Sequence, residues 1–139
     1  MARILVVAHE LDDFRARSWM IQALFPVWLD AGHEIRVCEG PPAAGVQADL
    51  AFLHVDASRV PDEYVDALRR FPVVVNGNGI DLCKSVRGDL ALRRDSAWDG
   101  PVIVKSDLNA GGVPEAKHNE RARALGRPRP YPGLVPMTD

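Results

Sequence analysis

Ile4-Leu5-Val6-Val7-Ala8 is an unbroken apolar, largely β-branched run close to the N-terminus. A strand with one wet face alternates polar and apolar residues, whereas an uninterrupted apolar run suits a central parallel strand covered on both faces. The reading works outward from there. Asp12 or Asp13 offers a helix cap, and Met20, Leu24, Val27 and Ala31 recur at helical spacing, so this segment is expected to lay that stripe on the sheet. Pro26 falls inside the segment, where it frees the carbonyl of Gln22 and bends the axis, and Gly32 can end the helix. Ile35 and Val37 alternate with Glu34 and Arg36 and give a second strand with a wetter face, followed by a loop at Pro41, Pro42 and Gly45.

Residues 50–55 form another buried run. Pro61 then stands at a first helical position, with Asp62 and Glu63 in the first turn and Arg69 and Arg70 in the last, as the helix dipole favours. Pro72 stops that helix, and residues 73–75 return as a strand that ends in the turn Asn76-Gly77-Asn78-Gly79. Strands separated by helical patterns imply right-handed crossovers. The expected fold class is therefore α/β: a Rossmann-like parallel sheet with helices on both faces, strands in the order second, first, third, fourth, and ligands at the carboxyl ends of the strands. After Gly79 the texture changes. Residues 81–94 read as a charged helical stretch, Gly100 and Pro101 as a turn and residues 102–104 as a new strand, while the proline-rich tail from Lys117 shows little means of burying apolar surface and is expected to be poorly ordered. The expected division is 1–79, 80–116 and 117–139.

The totals narrow the function. A chain of 139 residues with 47% hydrophobic residues can fill one core of ordinary domain size. A formal net charge of -2 supplies no excess of cations to displace counterions from a nucleic acid, so no nucleic-acid partner is expected. No apolar run approaches the ~20 residues of a membrane span, so no membrane partner is expected either. Cys38 and Cys83 lie far apart and outside any metal-type cluster, which fits unbridged thiols in a reducing cytoplasm. The turn after the first strand, from His9 to Phe14, has no glycine, which argues against the dinucleotide fingerprint. His9 reads as a loop residue that makes hydrogen bonds, and His33 and His54 as structural.

The stretch Asp99-Gly100-Pro101-Val102-Ile103-Val104-Lys105, with Gly111-Gly112 following, carries the strongest chemical signal. A buried strand would fix the stem of Lys105 while its ammonium meets a phosphate, and the two glycines could fold N–H groups over phosphate oxygens. This pattern resembles the phosphate-binding lysine strand and glycine loop of the ATP-grasp superfamily. The passage from residues 73–76 through Asp81 and Lys84 is similar to the step in that superfamily from the Rossmann-like pre-ATP-grasp domain into the nucleotide-binding part. The resemblance implies that Lys84, Lys105, Gly111 and Gly112 would contact ATP, with magnesium required, and that the intact form would be a ligase activating a small-molecule carboxylate. No counterpart of the superfamily's metal-binding and adenine-binding lobe follows Glu115. The resemblance therefore implies a fragment, inactive alone or dependent on a missing C-terminal lobe, and apolar surface left open where that lobe would pack would favour a homo-oligomer. Whether it acts as an enzyme stays open. The alternatives are a small Rossmann-like ligand-binding or protein-interaction module without catalysis, and a nucleotide-handling half-domain of the glycosyltransferase kind.

Overall fold

A computed structural model describes residues 1–87, 91–93 and 95–134. Parts of the expected helix 81–94 and of the proline-rich tail, including Pro136, lie outside the described residues. The chain divides into two compact units, Met1–Asp56 with Val60–Ile80, and Ala57–Arg59 with Asp81–Asp139.

The first unit is a four-stranded, all-parallel sheet of β1 (Arg3–Ala8), β2 (Glu34–Glu39), β3 (Leu50–His54) and β4 (Val74–Val75), in the order β2-β1-β3-β4. The strands and their order agree with the sequence reading. The unbroken apolar run lies where its composition requires: β1 takes β2 on one side, with Ile4 opposite Ile35, and β3 on the other, with Ile4 opposite Leu50. Its alternate side chains feed two cores. Leu5 and Val7 join Ala51, Leu53, Val60, Tyr64, Leu68 and Phe71 on the face covered by α2 (Asp62–Leu68), whereas Val6 and Ala8 join Phe14 and Ile21 on the other.

The segment after β1 departs from the sequence reading. No helix begins at Asp12 or Asp13. The chain instead runs as a loop to Trp19, makes a 3-10 turn over Met20–Leu24 and continues as a short α1 (Phe25–Asp30). Pro26 occupies the start of α1, where its missing N–H costs no helical bond, so it divides the segment rather than bending one helix. The expected inward stripe faces outward: Met20 is 89%, Leu24 43% and Val27 62% exposed. Ile21, Phe25 and Trp28 pack on the sheet in its place. The segment is apolar around most of its circumference, so its periodicity does not select a face, and three residues per turn in the 3-10 part shifts the phase. Gly32, at φ 80°, ends α1 as expected.

In the second unit, Arg59 and Asp81 form an antiparallel bridge reinforced by an ion pair at 2.7 Å. Residues 84–87 form α3 (Lys84–Arg87), the only helical part of the expected stretch 81–94 among the described residues. Its first turn is capped by Asp107, whose backbone carbonyl accepts the Lys84 N–H at 3.0 Å and whose Oδ1 accepts the Ser85 N–H at 2.7 Å. No strand forms over residues 102–104; Val102, Ile103 and Val104 are 58%, 82% and 91% exposed. The described part of the tail, up to residue 134, carries a helix and side-chain contacts that its composition does not suggest. Helix α4 (Val113–Ala124) runs through Lys117, and the Asn119 side chain both accepts the Tyr131 N–H at 2.9 Å and donates to the Tyr131 carbonyl at 2.7 Å. One amide thereby mimics a backbone partner and ties the following segment to the helix.

Candidate functional site

In the strand order β2-β1-β3-β4, the connection from β1 leads to β2 on one side and that from β3 leads to β4 on the other, so the loops after β1 and β3 part at a topological switch point, where open α/β sheets hold ligands. Asp12 ties these two loops together. Its Oδ2 accepts the backbone N–H of His9, just past β1, at 3.0 Å and that of Asp56, just past β3, at 3.1 Å. The carboxylate thus satisfies two loop donors that the parallel ladder leaves behind, and Asp12 is itself buried. The sequence reading offered Asp12 as a helix cap; it caps two strand-end loops instead.

His9 turns its Nδ1 back to accept the Leu11 N–H at 3.0 Å and stacks on Tyr64 with ring centroids 5.4 Å apart. It is the loop hydrogen-bonding residue anticipated from sequence. The Tyr64 hydroxyl accepts the Glu10 N–H at 3.2 Å, and burial drives the phenol's pKa above its ordinary value, so Tyr64 stays protonated at neutral pH. Asn76, at the end of β4, adopts a left-handed φ of 63° and donates from Nδ2 to the Leu53 carbonyl at 3.2 Å, holding the β3 and β4 ends together. His33 lies at the opposite edge and accepts the Ala2 N–H at 3.1 Å, a structural role.

Beside the switch point, on the face that carries α1, three rings converge. Phe14 stacks on Trp19 at 6.1 Å, and His54, the last residue of β3, meets Phe14 and Trp19 edge-on at 5.5 and 5.2 Å. Two polar atoms in this cluster, Trp19 Nε1 and His54 Nδ1, are buried and have no hydrogen-bond partner among the described residues. Each such group costs about 1–3 kcal/mol if left unmade. Trp19 is held at the start of the 3-10 turn by Gln22: the Trp19 backbone N–H donates to Gln22 Oε1 at 2.9 Å, and Gln22 Nε2 donates to the Phe14 carbonyl at 2.9 Å. Sequence reasoning missed Trp19 altogether and filed His54 as structural. The only available signal was a pair of aromatics, Phe14 and Trp19, in a long loop after the first strand.

The four residues singled out for ATP all lie in the second unit. Lys84 opens α3 and is exposed. Lys105 is exposed on an irregular segment, so no strand fixes its stem. Gly111 and Gly112 take left-handed φ values of 67° and 84°, preceded by Ala110 at 44°, and lead directly into α4. A Cβ on Gly112 would come within 3.0 Å of the Leu108 and Leu134 side chains, so packing as well as conformation requires glycine there. The first turn of α4 already holds an acidic group: Glu115 is buried and its Oε1 accepts the Ser58 N–H at 2.6 Å, while Ser58 Oγ accepts the Asn109 N–H at 2.7 Å. A carboxyl group where the helix dipole favours negative charge competes with a phosphate for that position.

Both cysteines are free thiols. Burial raises the pKa of Cys38 and of Cys83, the latter also through Asp81, so neither is an activated nucleophile. No helix among the described residues is long and apolar enough to cross a membrane. No protein-family model matches the sequence, and neither a curated protein nor a solved structure shows significant similarity to it.

Proposed function

We propose that the first unit is a non-catalytic binding module that takes a small polar molecule beside the β1/β3 switch point, against the rings of Phe14, Trp19 and His54. The observation that carries this reading is the pair of buried, unpartnered groups, Trp19 Nε1 and His54 Nδ1, in one aromatic cluster at a strand end. An indole N–H only donates, so the ligand presents an acceptor oxygen to Trp19, with a second polar atom for His54. Small carboxylates and amides have that chemistry. Among the described residues beside the switch point, Tyr64 held protonated and Asp12 accepting two backbone N–H groups offer hydrogen bonding rather than proton-transfer or nucleophilic chemistry, which is why binding is favoured over catalysis.

The test is the indole N–H resonance of Trp19, assigned by its loss in Trp19→Phe and followed while formate, acetate, acetamide and urea are titrated in. A saturable shift from at least one of them, abolished by His54→Phe, is expected. Resonances that stay fixed throughout the titrations, or shifts indifferent to His54→Phe, would reject the site.

A second reading, that the second unit derives from an ATP-grasp protein, draws support from the left-handed Gly111-Gly112 pair at the start of α4. Lys105 and the glycines would then form half of a phosphate clamp, with Mg-ATP as ligand and activity dependent on a supplied C-terminal lobe. Exposed to water, one lysine–phosphate pair at about 4 Å contributes on the order of 1 kcal/mol, against about 4 kcal/mol for a millimolar Kd. Calorimetry with Mg-ATP separates the readings: binding lost in Lys105→Ala supports the second, and binding indifferent to Lys105→Ala rejects it.

A further inference from the structure

β2 is the end strand of its sheet, and among the described residues no strand pairs with its outer edge. Beside that edge lies an open groove of about 530 Å³ lined by Phe25 and Leu29 of α1, by Ile35, Arg36 and Val37 of β2, and by Arg15. Val27 and Leu29, on the helix that walls the groove, are 62% and 56% exposed. Open backbone edge, apolar wall and exposed aliphatic side chains therefore coincide on one side of the unit, a combination that single folded domains normally guard against.

The charges along β2 say what covers it. Glu34, Arg36 and Glu39 are all exposed. In an antiparallel pairing of the strand with a second copy about a twofold axis normal to the sheet, every residue keeps its face. Only residues an even number of positions apart, or a residue and its own equivalent, then meet. Centring on Arg36 would set two guanidinium groups against each other. Centring on Val37 would leave Arg36 opposite Cys38 and bury Glu39 against Ile35. Centring on Ile35 sets Glu34 opposite Arg36 twice over, with the two Ile35 side chains meeting on the groove side. We infer that two copies of this chain associate through β2 in this last register, joining their sheets into one. The alternating charges both permit this pairing and discourage the neighbouring registers and unrelated strands.

Sedimentation equilibrium of the full chain up to a few hundred micromolar tests the inference. A monomer–dimer equilibrium is expected for the wild type. Arg36→Glu and Glu34→Arg, both at exposed positions, are each expected to weaken it at least about tenfold, because each turns two attractive cross-strand pairs into repulsive ones. The double variant E34R/R36E restores the pairs in swapped form and is expected to dimerise like wild type. An equimolar mixture of the two single variants is expected to form heterodimers, since every facing pair is then again of opposite charge. A wild type monomeric throughout, or a dimer indifferent to both single reversals, overturns the inference. So does loss of dimerisation in the single variants that neither the double variant nor the mixture recovers, with melting temperatures recorded to confirm that each is folded.

Discussion

Two β-branched runs, residues 4–8 in the first unit and residues 102–104 in the second, are nearly interchangeable in composition, yet one is a central strand and the other an exposed irregular segment. Both follow a polar or turn-forming residue and both are followed by a titratable side chain, His9 in one case and Lys105 in the other. The difference lies outside the runs. Residues 4–8 find Glu34–Glu39 and Leu50–His54 on either side, which satisfy the backbone of β1 and cover both of its faces. Residues 102–104 have no such neighbours among the described residues, and their side chains stay in water. Apolar β-branched composition is a statement about how well a pleated surface could be packed; a ladder still has to be supplied from elsewhere in the chain.

The sharpest way to break the comparison is to truncate one side chain in each run. Leu5→Ala removes a side chain from the middle of the α2-side core and is expected to cost about 2–5 kcal/mol in urea unfolding. Ile103→Ala, nominally as drastic, is expected to lie within about 0.5 kcal/mol of wild type, because the side chain is 82% exposed. Equal losses at the two sites would mean that residues 102–104 are buried in solution after all.

A smaller effect separates the two polar clasps. Buried Asp12 accepts the buried His9 N–H and the partly buried Asp56 N–H on one oxygen, so Asp12→Ala leaves the His9 donor unpaired at about 1–3 kcal/mol and the Asp56 donor to water at less, and Asp12→Asn, whose amide oxygen can take the place of Oδ2, is expected to recover most of the loss. Asn119→Ala in the second unit also removes two hydrogen bonds, both to Tyr131. Tyr131 is only partly buried, so water replaces the amide and about 1 kcal/mol or less is expected. Hydrogen exchange at the Tyr131 amide is the better readout there, and unchanged protection would show that the clasp does not hold the segment.

What the sequence disclosed and what it concealed follow the same division. The parallel sheet was legible because residues 4–8, 50–55 and 73–75 are short apolar runs set off by glycine, proline and acidic caps, and the right-handed crossover rule then leaves few arrangements of them. The face of the helix after β1 was not, since Met20, Leu24 and Val27 compete with Ile21, Phe25 and Trp28 at identical spacing and the bulkier set takes the core. The contacts within the described part of the tail were hidden for a different reason: His118 and Asn119 both meet Tyr131, in a segment whose composition is otherwise that of a loop. At the candidate site, His9 was recognised for the hydrogen bond it makes. Trp19 and His54 were not, because what marks them is the absence of a partner for a buried atom, a property that exists only once the rings are brought together.

The smallest expected effect concerns acid. In the first unit the Arg3 side chain, and secondarily its backbone N–H, hold the carboxyl of Asp49 down to about 2; Arg3 Nη2 lies 2.8 Å from Oδ1, and the Arg3 N–H donates to Oδ2 at 2.8 Å. In the second unit Asp107 is lowered by the Ser85 N–H it caps. Both are depressed carboxylates, so their contributions are fully present above the unfolded value of about 3.9 and fade as pH falls through the folded one. For Asp49 that window runs from about 4 down to about 2. The two differ in salt response: the Asp49 contact is an exposed ion pair, screened by added salt, whereas the Asp107 contact is to a backbone donor at a helix start and depends on salt less. Acid titrations of thermal stability at low and high salt, with Asp49→Asn and Asp107→Asn, should show the Asp49 part of the decline vanish in Asp49→Asn and shrink in wild type at high salt, where the bond from the Arg3 backbone N–H remains. The Asp107 part should vanish only in Asp107→Asn. A decline between pH 4 and 2 that Asp49→Asn leaves unchanged would mean that the pair joining the start of β1 to the residue before β3 contributes nothing to holding the sheet together.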